Sequence, residues 1–155
     1  MTVRKFLVYL FLVVVVFSCQ TNTASPTNEG QQLTIFTIND MHGQLENFAK
    51  IKHIIDAEKA NGDVLFLSAG DIFSGNPVVD SHEEKGYPII DMMNRVGVDA
   101  TVIGNHEYDY GETHLKNRIT QAEFDFICAN VTTEGSSLPQ PDPYVKLTVG
   151  DFDIL

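Results

Sequence analysis

Leu33-Thr34-Ile35-Phe36-Thr37-Ile38-Asn39-Asp40-Met41-His42-Gly43 is a largely apolar run that breaks abruptly into an amide, a carboxylate, an imidazole and a glycine. The run reads as a β-strand and the break as a loop at its carboxyl end. Outward from it, Val64 to Ser68, Ala100 to Ile103, Phe126 to Ala129 and Tyr144 to Val149 read as further strands. Between the first two, Leu45 to Ala60 places Leu45, Phe48, Ile51, Ile54, Ile55 and Glu58 on one side and Lys50, Lys52, Asp56 and Lys59 on the other. That is the spacing of a helix lying on a sheet. A second helix is expected over Tyr87 to Val96, with Pro88 in its first turn and Gly97 closing it. A third is expected from Glu112 to Ala122, with Leu115 and Ile119 inward. Strands alternating with helices of this length give an α/β fold with parallel strands. Ser136 to Pro143 carries three prolines and reads as a loop.

Two more strands end as the first does. Ala69-Gly70-Asp71-Ile72-Phe73-Ser74-Gly75 and Ile103-Gly104-Asn105-His106-Glu107 also pass from an apolar run into polar, metal-competent side chains beside glycine. The carboxyl ends of parallel strands converge on one crevice, so segments far apart in the chain can meet there. Asp40 and His42 are two apart, which in an extended segment puts both on one side and lets them chelate one ion. Asp71 has a second carboxylate oxygen to share and could bridge two cations. Of Asn105 and His106, one can serve a metal and the other a substrate. Asp109, three residues on, is placed to orient an imidazole or stabilise its protonated form. Carboxylate, imidazole and amide ligands without thiolate suit Zn, Mn, Fe or Co. A single Asp-x-His is ordinarily a pair of solvated side chains and a single Gly-Asp a turn. Three such blocks in order, each at a strand end, are not explained that way.

Asp40-x-His42, Gly70-Asp71-x-x-x-Gly75 and Gly104-Asn105-His106-Glu107 resemble the successive blocks of the calcineurin-like metallophosphoesterases. Leu33 to Glu46 and Ile103 to Gly111 resemble more narrowly the secreted 5′-nucleotidase, 2′,3′-cyclic phosphodiesterase and UDP-sugar hydrolase branch. The resemblance runs from Leu33 to Leu155. It implies a layered sheet sandwich present here as its N-terminal portion, and two divalent metal ions. Asp40 and His42 would bind the first, Asp71 would bridge, Asn105 would bind the second, and His106 with Asp109 would form the catalytic pair. The implied reaction is attack of a metal-activated water on a phosphate ester of a nucleotide. The family pattern continues with a Gly-His block and a His-x-His block, and neither is found in the sequence. The remaining histidines, His53, His82 and His114, are expected to face solvent.

The flanking sequence speaks to location. Arg4 and Lys5 precede an apolar run from Phe6 to Phe17, the size of a signal-peptide core and short of the roughly 20 residues that span a bilayer. Its Val16-Phe17-Ser18-Cys19 ending resembles a bacterial lipobox. The expectation is a lipoprotein signal over 1–18, a lipid anchor on Cys19, a polar tether over 19–32, and export to the periplasm or cell surface. The catalytic portion occupies 33–155. Its last residues, Gly150 to Leu155, read as the start of another strand, so the chain is expected to be truncated and to hold metal poorly alone. Cys128, in the apolar run Phe126 to Ala129, reads as a small buried hydrophobe.

With Lys+Arg at 10 and Asp+Glu at 21, the formal charge is −11. Such a surface repels phosphate backbones and excludes a nucleic-acid polymer as partner. No protein partner is implied. Two alternatives stand beside the nucleotide phosphohydrolase: the same scaffold acting on another ester, such as a cyclic dinucleotide, a sugar nucleotide or a sulfur ester, and a non-catalytic surface lipoprotein. Retention of His106 and Asp109, which folding does not need, favours an enzyme.

Overall fold

The computed structural model describes residues 30–155. The expected signal over 1–18, the Cys19 anchor and most of the tether lie outside the described residues. Among the described residues six strands and four helices follow one another. These are β1 (Leu33–Ile38), α1 (Phe48–Lys59), β2 (Asp63–Ser68), the short α2 (Pro77–Asp80), α3 (Tyr87–Val96), β3 (Ala100–Val102), α4 (Glu112–Gln121), β4 (Asp125–Ile127), β5 (Leu147–Val149) and β6 (Phe152–Ile154). A 3₁₀ turn, His106–Tyr108, sits between β3 and α4.

β1, β2, β3 and β4 lie in that order in one sheet and pair in parallel throughout. This is the α/β arrangement expected of the alternation, and all three loops of interest leave the sheet at its carboxyl edge. β2, central and apolar, divides its side chains between two faces. Val64 and Phe66 join a core with Phe48 and Ile55 of α1, Val79 of α2, Ile89, Ile90 and Met93 of α3, and Leu115 of α4. Leu65 and Leu67 face the other way, into a cavity shared with Ala100, Ile127 and the β5–β6 hairpin. All four helices thus cover one face, and the hairpin covers part of the other.

α3 lies where the sequence places it, ended by Gly97 in the left-handed conformation. α1 starts later than expected, at Phe48, because Leu45 belongs to a turn whose carbonyl accepts the Phe48 N–H. Ile54 is not on its buried side but half exposed at 52%; Phe48 and Ile55 are buried in the core and Ile51 packs against it. The expected strand Tyr144 to Val149 shortens to Leu147–Val149, and Tyr144 is exposed. The proline-rich loop before it instead bonds to the sheet, the Cys128 N–H donating to the Asp142 carbonyl at 2.9 Å. β4 consequently stops at Ile127. Cys128 is buried, as expected. α2 has no counterpart in the sequence reading; Asn76 caps it by accepting the Val78 N–H, and Pro77 opens it.

Candidate active site

The loops after β1 and β2 zip together beyond the end of their strands. The N–H groups of Asp40, His42 and Gly43 donate to the carbonyls of Gly70, Asp71 and Ile72 at 3.2, 3.1 and 2.9 Å. Their geometry is unusual for the residues that adopt it. Asp40, His42, Asp71 and Ser74 are the described non-glycine residues with positive φ, at 50°, 46°, 52° and 52°. L-residues avoid that region, and several such residues gathered in one place mark a functional site rather than a packing solution.

The loop after β3 is drawn in from the other side. A Cβ on Gly70 would stand 2.9 Å from the Gly104 nitrogen and 3.0 Å from the Val102 carbonyl oxygen, so the two backbones approach as only glycine permits. Gly104 faces the Asp71 carboxylate as closely. Glu107 then ties the loops together. It is fully buried, and its carboxylate accepts N–H bonds from Asp71 at 3.1 Å, Ile72 at 2.7 Å, Phe73 at 3.4 Å and Gly104 at 2.5 Å. Burial pushes its pKa up, and the four N–H groups pull it back.

This framework brings His42, Asp71, His106 and Asp109 together, whereas the side chains of Asp40 and Asn105 make no hydrogen bond to them. The His106 N–H donates to Asp71 Oδ1 at 3.0 Å. The rings of His42 and His106 meet edge to face with centroids 4.6 Å apart. Asp40 is joined through its backbone to Gly70 and through its carboxylate to the Asn39 amide. Asn105 is exposed at the head of the 3₁₀ turn. Asp109, at the turn's far end, meets His106 Nδ1 with Oδ2 at 2.8 Å. The hydrogen bond to Asp109 raises the His106 pKa, against a smaller desolvation effect. The Asp109 carboxyl is lowered, first by the Ser74 hydroxyl and then by His106. An ionised carboxylate can only accept, so the proton between the pair sits on Nδ1.

Asp40, His42, Asp71 and Asn105 suit a hard or borderline divalent cation by their chemistry. Among the described residues no three His, Cys, Asp or Glu side chains form a closed cage. The positive-φ backbones of Asp40, His42 and Asp71 are held by the zipped loops and by the Gly70 and Glu107 contacts. His53 and His82 are exposed, as expected, and His114 is half buried on α4.

Three participants carried no signal in the sequence reading. Ser74 Oγ donates to Asp109 Oδ2 at 2.5 Å. Tyr110 accepts the Ser74 N–H at 2.8 Å and donates its hydroxyl to Asp80. Burial and the Asp80 carboxylate raise the Tyr110 pKa far above its ordinary value. Ser74 and Tyr110 stand inside quoted blocks, but nothing in their spacing distinguishes them from solvated side chains.

The family model described as calcineurin-like phosphoesterase matches residues 33–150. A 2′,3′-cyclic-nucleotide 2′-phosphodiesterase/3′-nucleotidase of Haemophilus influenzae is 37% identical over 87 residues, covering 52% of this chain and 13% of that protein. A 5′-nucleotidase of Rattus norvegicus is 30% identical over 151 residues, covering 81% of this chain and 25% of that protein. Among solved structures, a 5′-nucleotidase precursor from Thermus thermophilus superposes with a TM-score of 0.69 at 27% identity, covering 78% of this chain and 27% of that one. The chain spans a quarter or less of the length of these two curated relatives.

Proposed function

The chain belongs to the calcineurin-like phosphoesterase family, and from that premise we propose that it carries the N-terminal portion of the active site of a nucleotide phosphohydrolase. The carrying observation is the His106–Asp109 pair, 2.8 Å apart, held beside His42 and Asp71 by loops from three neighbouring parallel strands. In this reading Asp40 and His42 would hold a first divalent ion, Asp71 would be shared between the two, and Asn105 would hold the second. Bound there, the ions would lower the pKa of water and offset charge on the phosphoryl oxygens.

The chain's own residues do the rest. Asp109 keeps the proton on His106 Nδ1 and favours the imidazolium, so Nε2 is free to carry a second proton. As water attacks phosphorus, the bond from phosphorus to the nucleoside oxygen breaks. His106 gives its Nε2 proton to that leaving oxygen and stabilises the charge gathering on the transferring group. Nucleotide esters are the substrate class because the relatives' names include a 5′-nucleotidase and a cyclic-nucleotide phosphodiesterase. The basic, apolar and Cys19-terminated leader supports export and lipid anchoring at the periplasmic face or cell surface.

The test is hydrolysis of nucleoside monophosphates by the full-length protein before and after chelation. Release of phosphate that chelator abolishes and added Zn or Mn restores is expected. Undiminished hydrolysis in chelator, or none with any nucleotide after metal loading, would overturn the reading.

A further inference from the structure

We propose that Ser74 is a positioning residue for the catalytic pair: its hydroxyl anchors the Asp109 carboxylate in the place where that carboxylate orients His106. The inference rests on the phosphohydrolase reading above. Asp109 is 40% exposed and comes from the outer end of a short turn, so its backbone alone leaves the side chain free to rotate. Ser74 supplies what is missing. Its Oγ donates to Asp109 Oδ2, the same oxygen that meets His106 Nδ1, and lies 3.4 Å from Nδ1 itself. One hydroxyl thus touches both members of the pair.

The backbone is arranged to deliver that hydroxyl. Ser74 takes a φ of 52°, which a serine adopts only when its surroundings impose it. The imposition is visible on both sides. The Ser74 N–H donates to Tyr110 Oη at 2.8 Å, and the next N–H, of Gly75, donates to the Asp80 carboxylate at 3.2 Å. Tyr110 itself donates to Asp80 and stacks on buried Phe73 with centroids 5.5 Å apart. Asp80 and Tyr110 therefore clamp the strained turn, and the clamp is anchored in the core. Core packing explains the burial of Phe73; it gives no reason for a hydroxyl at the next position.

A double-mutant cycle in the full-length protein tests this. Ser74→Ala should lower kcat by about tenfold with KM changed less than about twofold, the size of one lost hydrogen bond to a charged group. In an Asp109→Ala background the same change should alter kcat less than about twofold, because the hydroxyl acts through that carboxylate. Losses that multiply would assign Ser74 a merely structural part and overturn the proposal. So would a Ser74→Ala enzyme as fast as the parent. The ¹⁵N shifts of the His106 ring, read at a pH high enough for the ring to be neutral, report the same contact without turnover: Ser74→Ala should turn a single Nδ1–H tautomer into a mixture. An unchanged tautomer sinks the positioning role, whereas a changed tautomer in a protein without phosphatase activity would refute the phosphohydrolase reading and leave the contact standing.

Discussion

In the proposed reaction His106 and Asp109 divide one task. The carboxylate fixes the proton on Nδ1 and raises the imidazole's pKa, and the imidazole would do the proton transfer. His106→Ala should therefore reduce kcat by about 10²- to 10⁴-fold, while metal content by atomic emission stays at the parent level. Loss of both metals in that variant would show His106 to be a ligand. The sign of the pH effect follows from the direction of the shift. A proton donor with a raised pKa keeps its proton to higher pH and loses activity as pH rises through that value. Removing the carboxylate in Asp109→Asn takes away the largest cause of the rise, so the alkaline limb of kcat should move to lower pH. A limb that stays in place would assign the proton to another group.

At the scale of elements, Glu107 ties the loop after β2 to the loop after β3, and backbone hydrogen bonds zip the loop after β1 to the loop after β2. Four N–H groups from two loops converge on one buried carboxylate, a knot that a neutral amide cannot tie, because its NH₂ would face donors. Glu107→Gln should destabilise the protein by about 3 kcal/mol, the cost of leaving buried donors unpaired beside a charge-assisted network. The denaturation midpoint measures it, and an unchanged midpoint would mean that the loops are held by other contacts. The glycines belong to the same element. Gly70 lets the β2 and β3 loops touch backbone to backbone, and the metal-competent residues follow immediately after each contact.

For the whole molecule, four parallel strands place the three loops side by side, with helices on one face and a small hairpin on the other. If the expected ions bind only the native arrangement of these loops, they stabilise it by mass action. Chelation of the full-length protein should lower Tm by several degrees, about the 4–8 °C that 1 kcal/mol gives a small domain and less in a longer chain. Added divalent metal should restore it. A Tm indifferent to chelator would mean that the ions do not bind the folded site.

Much of this was legible in the residues themselves. Helical apolar spacing marks α1 and α3, because burial on one face imposes a period that survives in one dimension, and short apolar runs bounded by polar residues mark β1 and β2. The three polar breaks mark the loops, because packing does not ask for Asp, His and Asn beside glycine at strand ends. Their chemistry, a donor set for divalent ions and an imidazole with a carboxylate three residues on, is carried by residue type and local spacing. Other features depend on groups distant in sequence. Ser74 meets Asp109 across 35 residues, and Glu107 binds N–H groups 34 to 36 residues before it. Neither contact leaves a periodicity or a spacing rule, because each exists only once parallel strands have set their loops side by side. Composition and pattern alone determined the α/β class and which polar groups stand at the strand ends; tertiary structure decided which oxygen each nitrogen meets, since hydrogen bonds form between neighbours in space.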